Sequence, residues 1–133
     1  MNLNDKVALV TGATRGIGAA IASALAQAGA TVIGTATSEA GAAAITQRFA
    51  ESNITGTGMV LDVTSSDSVN AVIKAIAEQF AAPTILVNNA GITKDNILMR
   101  MKDEEWMDVI DTNLTSVFRL AKACVRPMTK AHW

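Results

Sequence analysis

The sequence predicts an α/β protein: a doubly wound parallel sheet of which the first four strands and their helices are present. Three observations predict it. Short Val- and Ile-rich runs alternate with longer stretches of helical periodicity. The strand runs are near-continuously apolar, as strands buried on both faces are. The connections between them are of helical length, which parallel pairing requires and hairpins do not. Such alternation puts helices on both faces of one sheet.

Each element follows in order. Lys6 to Thr11 (KVALVT) reads as the first strand, and Gly12 to Gly18 as a turn. Ile17, Ala20, Ile21, Ala24, Leu25 and Ala28 then fall on one stripe of a helix, which Gly29 ends. Thr31 to Thr35 is the second strand, Ala40 to Ala50 a helix on composition, and Met59 to Leu61 a third strand ending at Asp62. Thr64-Ser65-Ser66-Asp67 offers capping hydroxyls and an acid to the next helix. Val69, Val72, Ile73, Ile76, Ala77 and Phe80 are its expected apolar face. Pro83 forces an exit, and Thr84 to Asn88 (TILVN) is the fourth strand, whose Ile85, Leu86 and Val87 form an exposed apolar edge. From Asp103 to about Lys130 the pattern is helical again, with Pro127 expected to kink or fray the last turn. No repeat beyond the βα unit, no low-complexity stretch and no linker interrupts residues 1–133.

Composition excludes several classes. With 50% hydrophobic and 17% charged residues, the 133-residue chain has the apolar surface to offset the entropy of ordering, so disorder is excluded. Cys124 has no partner for a disulfide framework. A net charge of −1 argues against broad nucleic-acid binding. The apolar runs fall far short of the roughly 20 residues that cross a bilayer, and Met1 to Lys6 lacks a secretory pattern. A cytoplasmic protein is expected, with no nucleic acid, membrane or metal partner.

The turn Thr11-Gly12-Ala13-Thr14-Arg15-Gly16-Ile17-Gly18 joins a buried strand to an amphipathic helix. Glycines there let a backbone approach a pyrophosphate, which the helix N-terminus attracts through free N–H groups and its dipole. The spacing is G-x-x-x-G-x-G rather than G-x-G-x-x-G. About 20 residues further on, an NAD-binding unit sets an acid against the ribose hydroxyls. Here the second strand ends in Thr35-Ala36-Thr37-Ser38, with no carboxylate before Glu39. Hydroxyls tolerate a 2′-phosphate, and Arg15 is placed to pair with it. NADP(H) is the expected cofactor; the alternative sets Glu39 on the ribose and leaves Arg15 solvated.

TGATRGIG, then Asn88-Asn89-Ala90-Gly91 closing the fourth strand, then Asn113 in a helix, resemble the short-chain dehydrogenase/reductase family, a Rossmann-type fold. More narrowly, VIGTATSE, LVNNAGIT, LMRMKDEEW and the segment around Asn113 resemble its ketoreductases of fatty-acid elongation, whose substrates ride on an acyl carrier protein. The resemblance covers the whole chain. It implies that Gly12, Thr14, Arg15, Gly16, Ile17 and Gly18 form the pyrophosphate and 2′-phosphate loop. By the same token Thr37 flanks the adenosine ribose, and Asp62 and Val63 meet the adenine. Asn89, Ala90 and Gly91 stand beside the nicotinamide ribose, and Asn113 supports a catalytic lysine through a water. It also implies a homotetramer.

In this family a tyrosine hydroxyl protonates the substrate oxygen, within Y-x-x-x-K after a fifth strand, and a serine orients the carbonyl. This chain contains no tyrosine. The 133 residues are therefore expected to be the cofactor-binding front part of a longer reductase, with the Ser/Tyr/Lys region elsewhere. His132, the only histidine, reads as a solvated end, and Cys124 as a buried inert thiol. Arg119, Lys122, Arg126 and Lys130 form a basic stripe opposite an apolar arc of Leu114, Val117, Ala121, Cys124, Val125 and Met128. The stripe suits either a solvated face at the negative end of a helix dipole or docking of an acidic carrier protein. Ile97 to Met101 reads as cover for a substrate mouth or as packing filler. A reductase with another carbonyl substrate, and a nucleotide-binding module without catalysis, remain the competing functions.

Overall fold

The computed structural model describes residues 2–90, 102–104, 107 and 114–131. Gly91, Asn113, His132 and the run 97–101 lie outside the described residues. The elements are β1 (Val7–Val10), α1 (Gly16–Gln27), β2 (Thr31–Ala36), α2 (Glu39–Glu51), β3 (Gly56–Val60), α3 (Ser66–Gln79), β4 (Ile85–Val87) and α4 (Ser116–Ala131). The four strands form one parallel sheet in the order β3-β2-β1-β4, with Val7 opposite Thr31, Val32 opposite Gly56 and Ala8 opposite Ile85. The expected α/β architecture is what forms.

Side chains of β1 alternate between two cores, as a strand's two-residue period dictates. Ala8 and Val10 join Ala22 of α1 and Ile45 and Phe49 of α2 on one face. Val7 and Leu9 join Val69, Val72 and Ile76 of α3 and Leu120 of α4 on the other. Burying each such Leu, Ile or Phe stabilises by about 1.5–3 kcal/mol. Outermost β4 is half-buried: Ile85 and Val87 pack into the first core and Leu86 into the second.

Three expectations need correcting. First, β3 ends at Val60 rather than at Asp62, and it begins at Gly56, three residues before the apolar run that announces it. Gly56-Thr57-Gly58 carries no hydrophobic signal and is a strand because its backbone pairs with β2. Second, α1 is rotated from its apparent stripe. Gly18 and Ala22 are buried and Ile21, Leu25 and Ala26 pack behind them, while Ile17 is 73% exposed. A helix apolar nearly all round has no decisive stripe, so the tight approach at Gly18, described below, fixes its rotation.

In α4, Ser116, Leu120 and Cys124 turn inward, while Val117, Phe118 and Val125, with Leu114 just before the helix, are exposed. The helix also runs through Pro127 to Ala131. Leu120 is the knob the α3 side receives, and Arg119 Nη1 donates to the Val63 carbonyl at 3.2 Å. Third, in α3 Val69, Val72 and Ile76 are buried as expected, but Ala77 and Phe80 are exposed.

Candidate functional site

The carboxyl ends of all four parallel strands open onto one side of the sheet, where ligands of such folds bind beside the switch in strand order. A cleft of about 300 Å³ lies there, lined by Gly12 and Thr14 after β1, Thr35 to Ser38 at the end of β2, Leu61 and Val63 after β3, and Ala90 after β4.

The glycine loop borders this cleft through Gly12 and Thr14. Gly16 has φ of +63°, and a Cβ there would meet nothing within 4 Å, so open space lies over it. Gly18 is the opposite case: a Cβ would land on the Gly12 carbonyl oxygen and stand 2.5 Å from Asn89 Nδ2. Among the described residues, no backbone amide from Thr14 to Gly18 donates to a protein acceptor.

The contrast with the other helices is informative. Ser38 Oγ caps α2 by accepting from Gly41 N at 3.0 Å, and Ser65 Oγ caps α3 by accepting from Ser68 N at 3.1 Å. Glu39 and Asp67 supply acid to their first turns. At α1, Arg15 occupies the cap position without a side-chain bond, and no acid stands in the first turn. Among the described residues, that positive end therefore has no side-chain partner of its own.

A buried hydroxyl ties the loop to the end of β4. Thr11 Oγ1 accepts from Asn89 N at 3.0 Å and Ala90 N at 2.9 Å. Asn89 Nδ2 donates to the Gly12 carbonyl at 3.0 Å, so the asparagine holds the loop's first turn from the neighbouring strand. Asn89 and Ala90 are thus structurally coupled to the loop. Thr11 is a residue that sequence reading passes over as strand; its signal is a β-branched hydroxyl amid a buried apolar run.

Thr37 is exposed on the rim of the cleft, and Ser38 is committed to capping α2. Glu39 lines a different groove, between α2 and α3, together with Val60 and Ser68. Among the described residues, no carboxylate lines the first cleft. Val63 lines it, while Asp62 between Leu61 and Val63 is exposed. Asp62 Oδ1 accepts from the Thr64 hydroxyl and, at 3.0 Å, the Thr64 amide. These bonds, opposed by slight desolvation and helped by Arg119, hold its carboxyl below the usual carboxylate range. It therefore stays ionised further into acid than a free aspartate.

Arg48 is the second residue sequence reading missed. From the last turn of α2 its Nη1 donates to the Thr14 carbonyl at 2.8 Å and its Nη2 to the Ala13 carbonyl at 2.7 Å. Elsewhere, the basic stripe divides: Lys122, Arg126 and Lys130 are exposed, whereas Arg119 is half-buried and turned to Val63. Lys122 Nζ stands 5.8 Å from the centroid of the Phe118 ring. Burial pushes the Cys124 thiol up to about 11, so at neutral pH it carries almost no thiolate.

Comparison with known proteins adds the following. The profile of the short chain dehydrogenase family matches residues 6–133. The chain is 62% identical over 130 residues to the 3-oxoacyl-[acyl-carrier-protein] reductase FabG of Vibrio cholerae, covering 98% of this chain and 52% of that protein. Its counterpart in Pseudomonas aeruginosa is 56% identical over 133 residues, 100% of this chain and 54% of the relative. That of Escherichia coli K12 is 58% identical over 130 residues, with 98% and 52% covered. The chain spans about half the length of the curated relatives it matches.

Proposed function

This chain belongs to the short-chain dehydrogenase family, and from that membership we propose that it is the cofactor-binding part of an NADP(H)-dependent reductase of 3-oxoacyl groups carried on an acyl carrier protein. The observation that carries the cofactor reading is the run of unpartnered amides from Thr14 to Gly18 at a helix end with neither cap nor acid. That geometry fits a pyrophosphate. The choice of NADP(H) over NAD(H) rests on the cleft's lining, in which Thr35 and Thr37 stand where an acid would repel a 2′-phosphate. The names of relatives at 55–62% identity support the substrate class.

The residue roles follow. Gly12, Thr14, Gly16, Ile17 and Gly18 hold the pyrophosphate through backbone donors, and Arg15 pairs with the 2′-phosphate. Thr37 flanks the adenosine ribose, and Asp62 and Val63 border the adenine. Asn89, Ala90 and, by motif, Gly91 flank the nicotinamide ribose; Asn113, also by motif, supports the lysine. The bound nicotinamide supplies the hydride. This chain holds no tyrosine, so the reading assigns proton donation to the part of the relatives' length that it does not span. A homotetramer follows the family pattern, and exposed Leu114, Val117, Phe118 and Val125 offer apolar surface for a partner subunit. Among the described residues no helix is long and apolar enough to cross a membrane, in keeping with a cytoplasmic enzyme.

Fluorescence titration tests the cofactor. NADPH is expected to bind at least tenfold tighter than NADH, and Arg15→Ala to collapse that ratio toward one. Equal affinity for the two in the unaltered protein sinks the NADP(H) assignment. For the substrate, reversing Arg126 and Lys130 to Glu is expected to raise KM for a carrier-linked 3-oxoacyl group several-fold. KM for a small thioester analogue should stay put, because only the carrier meets a distant basic patch. A parallel rise for both rejects docking on α4.

A further inference from the structure

Arg48 does something that the cofactor reading does not use. It lies behind the glycine loop, on α2, and its guanidinium fork closes on two consecutive carbonyls, those of Ala13 and Thr14, at 2.7 and 2.8 Å. The remaining nitrogen, Nε, is buried with no hydrogen-bond partner. The guanidinium carbon stands 5.5 Å from the centroid of its neighbour Phe49, which is itself 1% exposed in the core. A flexible side chain that leaves one donor buried and unpaired is held in place by its other two bonds and its packing.

Two consequences follow from backbone geometry. In a trans peptide the C=O and the following N–H point in opposite directions. Drawing the Ala13 and Thr14 carbonyls toward Arg48 on α2 therefore turns the Thr14 and Arg15 amides the other way, away from that guanidinium. The second consequence concerns α1. Were that helix wound back by one turn, Ile17 and Gly18 would donate to the carbonyls four residues earlier, which are those of Ala13 and Thr14. Arg48 turns both carbonyls toward α2, and neither amide reaches them.

We infer that Arg48 is a positioning residue for the phosphate loop: its fork fixes two peptide planes and stops α1 from consuming the donors that a pyrophosphate needs. The inference rests on the cofactor reading above and names a residue outside the glycine motif. A lysine keeps the charge but has a single head, which cannot span two carbonyls as a planar fork does. The fork, not the charge, is the active feature.

The test compares Arg48→Met and Arg48→Lys in the full-length protein with two ligands: NADPH, and 2′-AMP, which carries the adenosine end and no pyrophosphate. NADPH binding is read by fluorescence and 2′-AMP by NMR titration. Both variants are expected to raise Kd for NADPH about tenfold, within threefold of each other, while Kd for 2′-AMP changes less than twofold. Full restoration by lysine overturns the fork. Equal losses for both ligands overturn a role confined to the pyrophosphate loop, and unchanged NADPH binding overturns the inference outright. An unaltered protein that binds no NADPH overturns the cofactor reading and this inference with it. If Arg48→Met does not fold, Arg48→Lys makes the same comparison.

Discussion

Gly18→Ala is expected to lower the melting temperature and to abolish tight nucleotide binding at once. The new methyl would fall on the Gly12 carbonyl oxygen, a backbone atom that cannot swing aside, and 2.5 Å from Asn89 Nδ2. Overpacking of this kind costs about 1–3 kcal/mol. For a domain of this size that is a fall of roughly 4–12 °C in Tm, readable by calorimetry. The binding loss should exceed what stability explains. To relieve the clash, α1 must back away from the strand, and its first-turn amides move with it. The Asn89 to Gly12 bond at 3.0 Å is lost in the same step. Gly16→Ala provides the contrast. Nothing stands within 4 Å of a Cβ there, and the penalty is confined to φ of +63°. A Gly18→Ala protein that melts normally and binds NADPH normally contradicts the close approach.

Thr11→Val should destabilise by about 2–5 kcal/mol, with no change in shape to account for it. The two side chains have nearly the same volume, so the effect isolates the hydroxyl. In the folded protein that oxygen is the acceptor for the amides of both Asn89 and Ala90. Each buried donor left without a partner costs about 1–3 kcal/mol. Urea unfolding is expected to show a lower midpoint with an unchanged slope, and Thr11→Ser to recover most of the loss because its oxygen can occupy the same place. If valine and serine behave alike, the hydroxyl does not carry the connection between β1 and β4.

These predictions mark where the sequence was legible. Val7 to Val10 announces itself because a central parallel strand is apolar on both faces, and all four residues are buried. The lining of the cleft by Gly12, Thr14, Thr37 and Val63 follows from the βα order, since loops after parallel strands share one edge of the sheet. Arg48 and Thr11 were not legible, because their partners lie 34 and 35, and 78 and 79, positions away. No local pattern encodes a bond of that span. The rotation of α1 was misread for another reason. Hydrophobic periodicity ranks faces by apolarity, whereas the packed face is chosen by shape: small Gly18 and Ala22 go inward and Ile17 stays out. Periodicity missed the start of β3 as well, where Gly56-Thr57-Gly58 is held by backbone pairing alone.

The bond from Asn89 to Thr11 also orders events during synthesis. A ribosome adds about 5–20 residues per second, so the 78 positions between the two residues take on the order of 4–16 s to emerge. Throughout that interval β1 and β2 can pair and α1 can wind, yet the Thr11 hydroxyl has no amides to receive and Gly12 no asparagine to steady it. The nascent chain thus carries an untethered glycine loop until its fourth strand arrives. The bonds that steady the glycine loop form only after the fourth strand appears, although the loop itself is among the first parts translated.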